Sequence, residues 1–191
     1  MALLVPHLWV IVGCMFAGKT EELIRLLRRF RIKKMAVQVF KPIIDDRYAI
    51  GAVASHNGAE YEATPINGPR EVFALLMPGT RVVAFDEVQF FDPCIVEVCE
   101  TLISMGLLVI VAGLSLDFRA EPFGSMPDLL ARADHLIQVK AICACDGCEE
   151  DATRTQRLVN GRPAKSTDPI ILVGADESYE ARCRKHHEVP K

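Results

Sequence analysis

Residues 13–20 read Gly-Cys-Met-Phe-Ala-Gly-Lys-Thr, which fits the pattern G-x-x-x-x-G-K-[ST], and no other stretch restricts the fold of this chain as strongly. The pattern works only between a strand and a helix. Gly13 and Gly18 let the backbone of Cys14, Met15, Phe16 and Ala17 wrap closely, so that N–H groups point at phosphate oxygens while the next helix adds its positive end. Both neighbours are present. Residues 8–12 are the apolar run Leu-Trp-Val-Ile-Val, and Leu23, Leu26, Leu27 and Phe30 recur at helical spacing behind Glu21 and Glu22. Lys19 is then placed to neutralise the β- and γ-phosphates of ATP, and the Thr20 hydroxyl to ligate Mg²⁺.

The same rhythm continues. Apolar runs at 35–40, 81–85, 107–112 and 135–142 read as buried strands, and Ile95, Val98, Cys99 and Leu102 form a helical stripe after Asp92-Pro93. Strands that are apolar throughout and separated by helices predict an α/β fold of the P-loop NTPase type, with a mainly parallel sheet flanked by helices. The 191 residues, half of them hydrophobic, suffice for a core without disulfides. No apolar run approaches the ~20 residues of a membrane span, and no basic, signal-like amino end is present, so a cytoplasmic location is expected. The net charge of −3 and pI near 6.0 weigh against nucleic-acid binding. The basic run Arg25, Arg28, Arg29, Arg31, Lys33 and Lys34 reads as a solvated helix face, and His7, His56 and His135 as ordinary surface or hydrogen-bonded histidines.

Asp86 and Glu87 end the apolar run at 81–85. A carboxylate there completes the cation site of a phosphate loop. Adjacent side chains leave a strand in opposite directions, so the two divide the work: one for metal, one for a reacting proton.

Seven cysteines in a chain without a secretory signal favour metal over disulfides. Cys145-x-x-Cys148 and Cys183-x-x-His186 are two half-sites on either side of a short polar segment, the arrangement of a closed, structural Zn²⁺ ribbon. The domain division expected is therefore 1–141 for the ATP-binding part and 142–191 for the zinc-ribbon part. Cys94 and Cys99 read as buried, inert thiols.

With these motifs in order, the chain resembles the type II thymidine kinases from about residue 8 to 190. The resemblance is carried by residues 13–20, Phe40-Lys-Pro, Asp45-Asp-Arg47-Tyr48, Ser55-His-Asn-Gly58 and Asp86-Glu-Val-Gln89-Phe-Phe91. Further along it is carried by Ala112-Gly-Leu114, Asp117-Phe-Arg119, Glu121-Pro-Phe-Gly124, Thr153-Arg-Thr-Gln-Arg157, and Ile171-Leu-Val-Gly174 through Tyr179 to Cys183-x-x-His186. It implies transfer of the ATP γ-phosphoryl group to the 5′-hydroxyl of thymidine. Glu87 is then the base, with Lys19 and Arg47 as its catalytic partners. Asp86 falls on the Mg²⁺ carboxylate, and Asp45 and Gln89 fall in the nucleotide site. Met15, Phe90, Leu114, Phe118 and Thr155 map around the thymine ring. The loop 162–179, including Ile171, Val173, Gly174 and Tyr179, maps to a lasso that grips the base. A homotetramer is implied as well.

The chain departs from the family at Ala17, where Ser is frequent, and at Ser115, where Asp is usual. It also carries about two extra residues among the cysteines, so that either Cys143 or Cys145 joins Cys148 on zinc. Cys145 is favoured, because C-x-x-C closes a tight knuckle. The alternative function is a P-loop NTPase whose zinc ribbon recruits a macromolecular partner.

Overall fold

The computed structural model describes residues 5–43, 52–54, 60–170 and 177–191. Asp45, Arg47, Ile171, Val173 and Gly174 lie outside the described residues. The chain begins with β1 (Leu8–Val12), α1 (Lys19–Ile32) and β2 (Ala36–Pro42). One face of α1 buries Leu23, Ile24, Leu26, Leu27 and Phe30. The opposite face carries the basic run. Arg25 is held by Glu22 at 2.6 Å, and the Arg31 guanidinium lies over the Tyr61 ring at 4.4 Å, so the run is a solvated face as expected.

The hairpin β3 (Ala52–Ala54) and β4 (Glu60–Glu62) follows, then β5 (Thr64–Ile66), the single turn α2 (Val72–Leu75) and β6 (Thr80–Phe85). Next come α3 (Ile95–Ser104), β7 (Leu108–Gly113), α4 (Met126–Ala131) and β8 (His135–Gln138). Strands β5-β2-β6-β7-β1-β8 form a six-stranded sheet in that order, every pair parallel. Alternate residues of its central strands feed different cores. Val83, Phe85, Val109 and Val111 pack with Ile95, Leu102, Met126 and Leu129 on the α3 face. Val82, Ala84, Leu108 and Ile110 pack with Leu23, Leu27 and Phe30 on the α1 face. Because both faces are covered, β1 and β7 carry no polar residue, and each large aliphatic side chain so buried contributes about 1.5–3 kcal/mol relative to exposure.

The run 135–142 is not one strand. β8 is an exposed edge with Leu136 54% accessible, and it stops at Gln138. The Val139 N–H still donates to the Val12 carbonyl at 2.8 Å, but the Val139 carbonyl passes so close to Gly13 that a Cβ there would sit 2.5 Å away. Beyond that crossing the chain leaves the sheet, and β9 (Ala141–Ile142) pairs antiparallel with β10 (Asp151–Ala152). A second antiparallel sheet has β11 (Arg154–Val159) between β12 (Arg162–Pro163) and β13 (Glu177–Arg182). Residues 162–163, expected as loop, thus close a hairpin on β11. No described helix is long and apolar enough to cross a membrane.

Candidate active site

A parallel sheet directs the carboxyl ends of its strands to one edge, and there β1, β6 and β7 deliver the phosphate loop, Asp86-Glu87 and Leu114 respectively. Gly18, at φ 83°, caps α1 in a left-handed conformation that a side chain adopts at a cost. Lys19 is 7% exposed, and its ammonium group donates to the Cys14 carbonyl at 2.9 Å, within the loop's own concavity. The loop is tied to the carboxyl-terminal part at two points. The Met15 N–H donates to Thr155 Oγ1 at 3.1 Å, and the Cys14 thiol, its pKa raised by burial, donates to the Ala152 carbonyl at 3.3 Å.

The Thr20 hydroxyl donates to Asp86 Oδ2 at 3.4 Å, joining phosphate loop and carboxylate pair. Asp86 is 6% exposed, and burial, followed by the neighbouring Glu87 charge, pushes its pKa up to about 7. A buried carboxylate facing a hydroxyl and a second carboxylate suits a divalent cation, whose charge would favour the ionised form. Glu87 has φ 50° and ψ 40°, a left-handed conformation that turns the backbone sharply after β6. The Glu87 N–H donates to Asp86 Oδ1 at 3.0 Å, while Glu87 Oε2 accepts from Gln89 Nε2 at 2.5 Å.

Of the residues expected around a base, Met15 is half-buried and hydrogen-bonded to the buried Thr155 as above, Leu114 and Phe118 are buried, and Phe90 packs edge-on against Phe123 at 5.3 Å. Phe118 has supports that sequence reasoning missed. Arg119 and Arg157 lie over its ring at 5.2 and 5.1 Å, and His187 Nε2 meets its carbonyl oxygen at 2.9 Å. The same guanidinium groups donate to the carbonyls of Asp168 and Pro169, at 2.7 and 2.6 Å, within the predicted lasso. The clues were the arginines of Asp117-Phe-Arg119 and Thr155-Gln-Arg157; their convergence on one ring needed the fold. Tyr179 is half-buried on β13.

The cysteine cluster corrects the favoured ligand set. Cys143, Cys148, Cys183 and His186 bring their donor atoms within 4.8 Å of one another, and Cys145 is outside that group. Separations of 3.6 Å for Cys143 Sγ to His186 Nδ1, 3.3 Å for Cys183 Sγ to His186 Nδ1, and 4.0 Å between Cys148 and Cys183 sulfurs suit a tetrahedral ion, whose ligand atoms stand about 3.5–3.8 Å apart. The Cys148 N–H donates to the Cys145 carbonyl at 3.0 Å, closing a turn inside the knuckle like the one that the His186 N–H closes on the Cys183 carbonyl at 3.2 Å. The backbone N–H of Cys145 serves Cys143. Although burial opposes ionisation, N–H groups of Cys183 and Cys145 bring the Cys143 thiol down to about 6, and a thiolate is what a metal binds. The thiol of Cys145 interacts with Arg182. Of the other two cysteines, Cys99 is buried as expected, whereas Cys94 is only half-buried, beside Asp92 and Arg70.

Compared with known protein families, the sequence model described as thymidine kinase matches residues 6–187.

Proposed function

The chain belongs to the thymidine kinase family and is therefore a kinase, and from that premise we propose that it transfers the γ-phosphoryl group of ATP to the 5′-hydroxyl of thymidine. The observation that carries the reading is the contact of Thr20 with Asp86, which sets the carboxylate pair against the phosphate loop. N–H groups of residues 14–19 and the positive end of α1 hold the phosphates, and Lys19 leaves the Cys14 carbonyl for the β- and γ-oxygens. Thr20 and Asp86 would hold Mg²⁺, which supplies charge neutralisation at the phosphates. Glu87 takes the proton of the attacking hydroxyl, and Arg47 stabilises charge on the transferring group, with Asp45 beside it. Met15, Phe90, Leu114, Phe118, Thr155 and the lasso residues Ile171, Val173, Gly174 and Tyr179 enclose the base. A small apolar pocket with backbone donors and acceptors suits a methylated pyrimidine.

Zn²⁺ held by Cys143, Cys148, Cys183 and His186 belongs to the same reading, as a structural ion. The cluster supports it by position: β11 follows one pair of donors and β13 precedes the other, and the lasso lies between those strands. A homotetramer, supported by the resemblance alone, is checked by sedimentation, and the cytoplasmic location expected from the sequence by fractionation.

The experiment that tests the function measures ATP consumption with thymidine, uridine and deoxycytidine as acceptors, for the wild type and Glu87→Gln. Thymidine is expected to be preferred, and the variant to lose about 10²–10⁴-fold in kcat while still binding ATP. Equal rates without any acceptor would identify a nucleotide hydrolase instead.

A further inference from the structure

Gln89 falls in the nucleotide-site motif, yet its side chain is spent on the protein. It is 3% exposed. Oε1 accepts the Leu114 N–H at 3.0 Å, and Nε2 donates to Glu87 Oε2 at 2.5 Å. The first bond fixes the second. A backbone N–H can only donate, so the amide oxygen must face Leu114 and the NH₂ group must face Glu87.

The surroundings leave this side chain little freedom. A Cβ on Gly113 would lie 2.6 Å from Gln89 Oε1, and a Cβ on Gly124 would collide with the Gln89 backbone carbonyl. Two glycines on different segments therefore make room for one glutamine, one at its head and one at its root. Glu87 has the opposite character: a left-handed backbone at the end of β6, and a flexible side chain bonded to Gln89. One carboxylate oxygen of Glu87 is thereby held.

We propose that Gln89 is a positioning residue for the base: it transmits the fixed geometry of the β7 carboxyl end, through its oriented amide, to the Glu87 carboxylate, and is not a ligand of nucleotide or metal. This rests on the reading of Glu87 as the base. Binding energy already invested in the folded sheet then holds the base in one rotamer before substrate arrives, which is where accurate placement contributes to rate. The amide is specific to the task. A carboxylate at position 89 would oppose Glu87 with like charge, and a thioether of similar length would fill the space without donating.

The test is a double-mutant cycle of Gln89→Met and Glu87→Gln, with kcat and both KM values measured and folding checked by thermal unfolding. Gln89→Met alone is expected to lower kcat roughly 10- to 100-fold, with KM for ATP within about 2-fold of wild type. In the Glu87→Gln background the same substitution is expected to change kcat by less than about 2-fold, because the group it orients is already gone. Gln89→Glu, which keeps the shape, is expected to be as slow as Gln89→Met. A raised KM for ATP with unchanged kcat would overturn the proposal in favour of nucleotide binding. Equal losses in both backgrounds would overturn it in favour of a structural role. Full activity in Gln89→Met beside an inactive Glu87→Gln would refute positioning alone, whereas near-normal kcat in Glu87→Gln would remove the base assignment and this proposal with it.

Discussion

Glu87 shows how much a single residue can conceal from its own sequence. Its placement after an apolar strand and next to Asp86 leads one to expect a division of labour, and the structure adds a left-handed turn at φ 50° and a bond from Gln89 to its carboxylate. That turn is written in no residue type, since glutamate has no preference for left-handed backbone. Gln89 is equally opaque, because its partner is the backbone of Leu114 and only strand order brings the two together. The phosphate loop, by contrast, is legible because its glycines, lysine and threonine act through local spacing. Cys99 is legible for the same reason: it falls on the apolar stripe of α3. It is 1% exposed, and burial, followed by the Glu100 charge, raises its pKa to about 12. An alkylating reagent at pH 8 is therefore expected to leave Cys99 unmodified in the native enzyme and to label it only in denaturant, as peptide mass mapping can check. Labelling in the native state at the rate of Cys94 would show that the α3 face is not closed.

Elements were readable in proportion to how local their causes are. The helical stripes of α1 and α3 and the runs forming β1, β2, β6 and β7 carry their period in neighbouring residues. The break between β8 and β9 does not, since it comes from Val139 crossing Gly13, far away in the chain. The knuckle belongs here too. Spacing alone favours Cys145, but Cys143, directly after β9, is the donor that the fold brings to Cys148, Cys183 and His186. Zinc content by mass spectrometry is accordingly expected to be stoichiometric in Cys145→Ser and largely lost in Cys143→Ser, Cys148→Ser and Cys183→Ser. The reverse for the first pair would refute the ligand set. Because the metal's binding energy appears as local folding energy, the zinc-depleted variants are expected to show a KM for thymidine raised about 10-fold or more, with ATP binding kept. A fall in kcat at unchanged KM would assign the ion a part in the chemistry.

At the scale of the whole molecule, the order β5-β2-β6-β7-β1-β8 inserts β1 between β7 and β8, the two strands of the sheet that come latest in the sequence. Leu8 is in register with Val109 and Trp9 with His135, so β1 has no partner until roughly a hundred residues more have been made. At about 5–20 residues per second, synthesis leaves Leu-Trp-Val-Ile-Val unpaired for some 5–20 s. During that interval the ribosome displays an apolar strand with open edges on both sides, a hazard for aggregation and a ready target for chaperones. Nor can nucleotide help, because the loop that would hold it hangs from that same strand. Ribosome-bound chains that expose residues 1–106 are expected to crosslink to hydrophobic-segment chaperones and to ignore ATP analogues, whereas chains exposing residues 1–140 or more should do the opposite. Nucleotide protection of the shorter chains would mean that the loop closes without its neighbours. The phosphate loop thus becomes useful only after the strands on either side of β1, made about a hundred residues or more later, have paired with it.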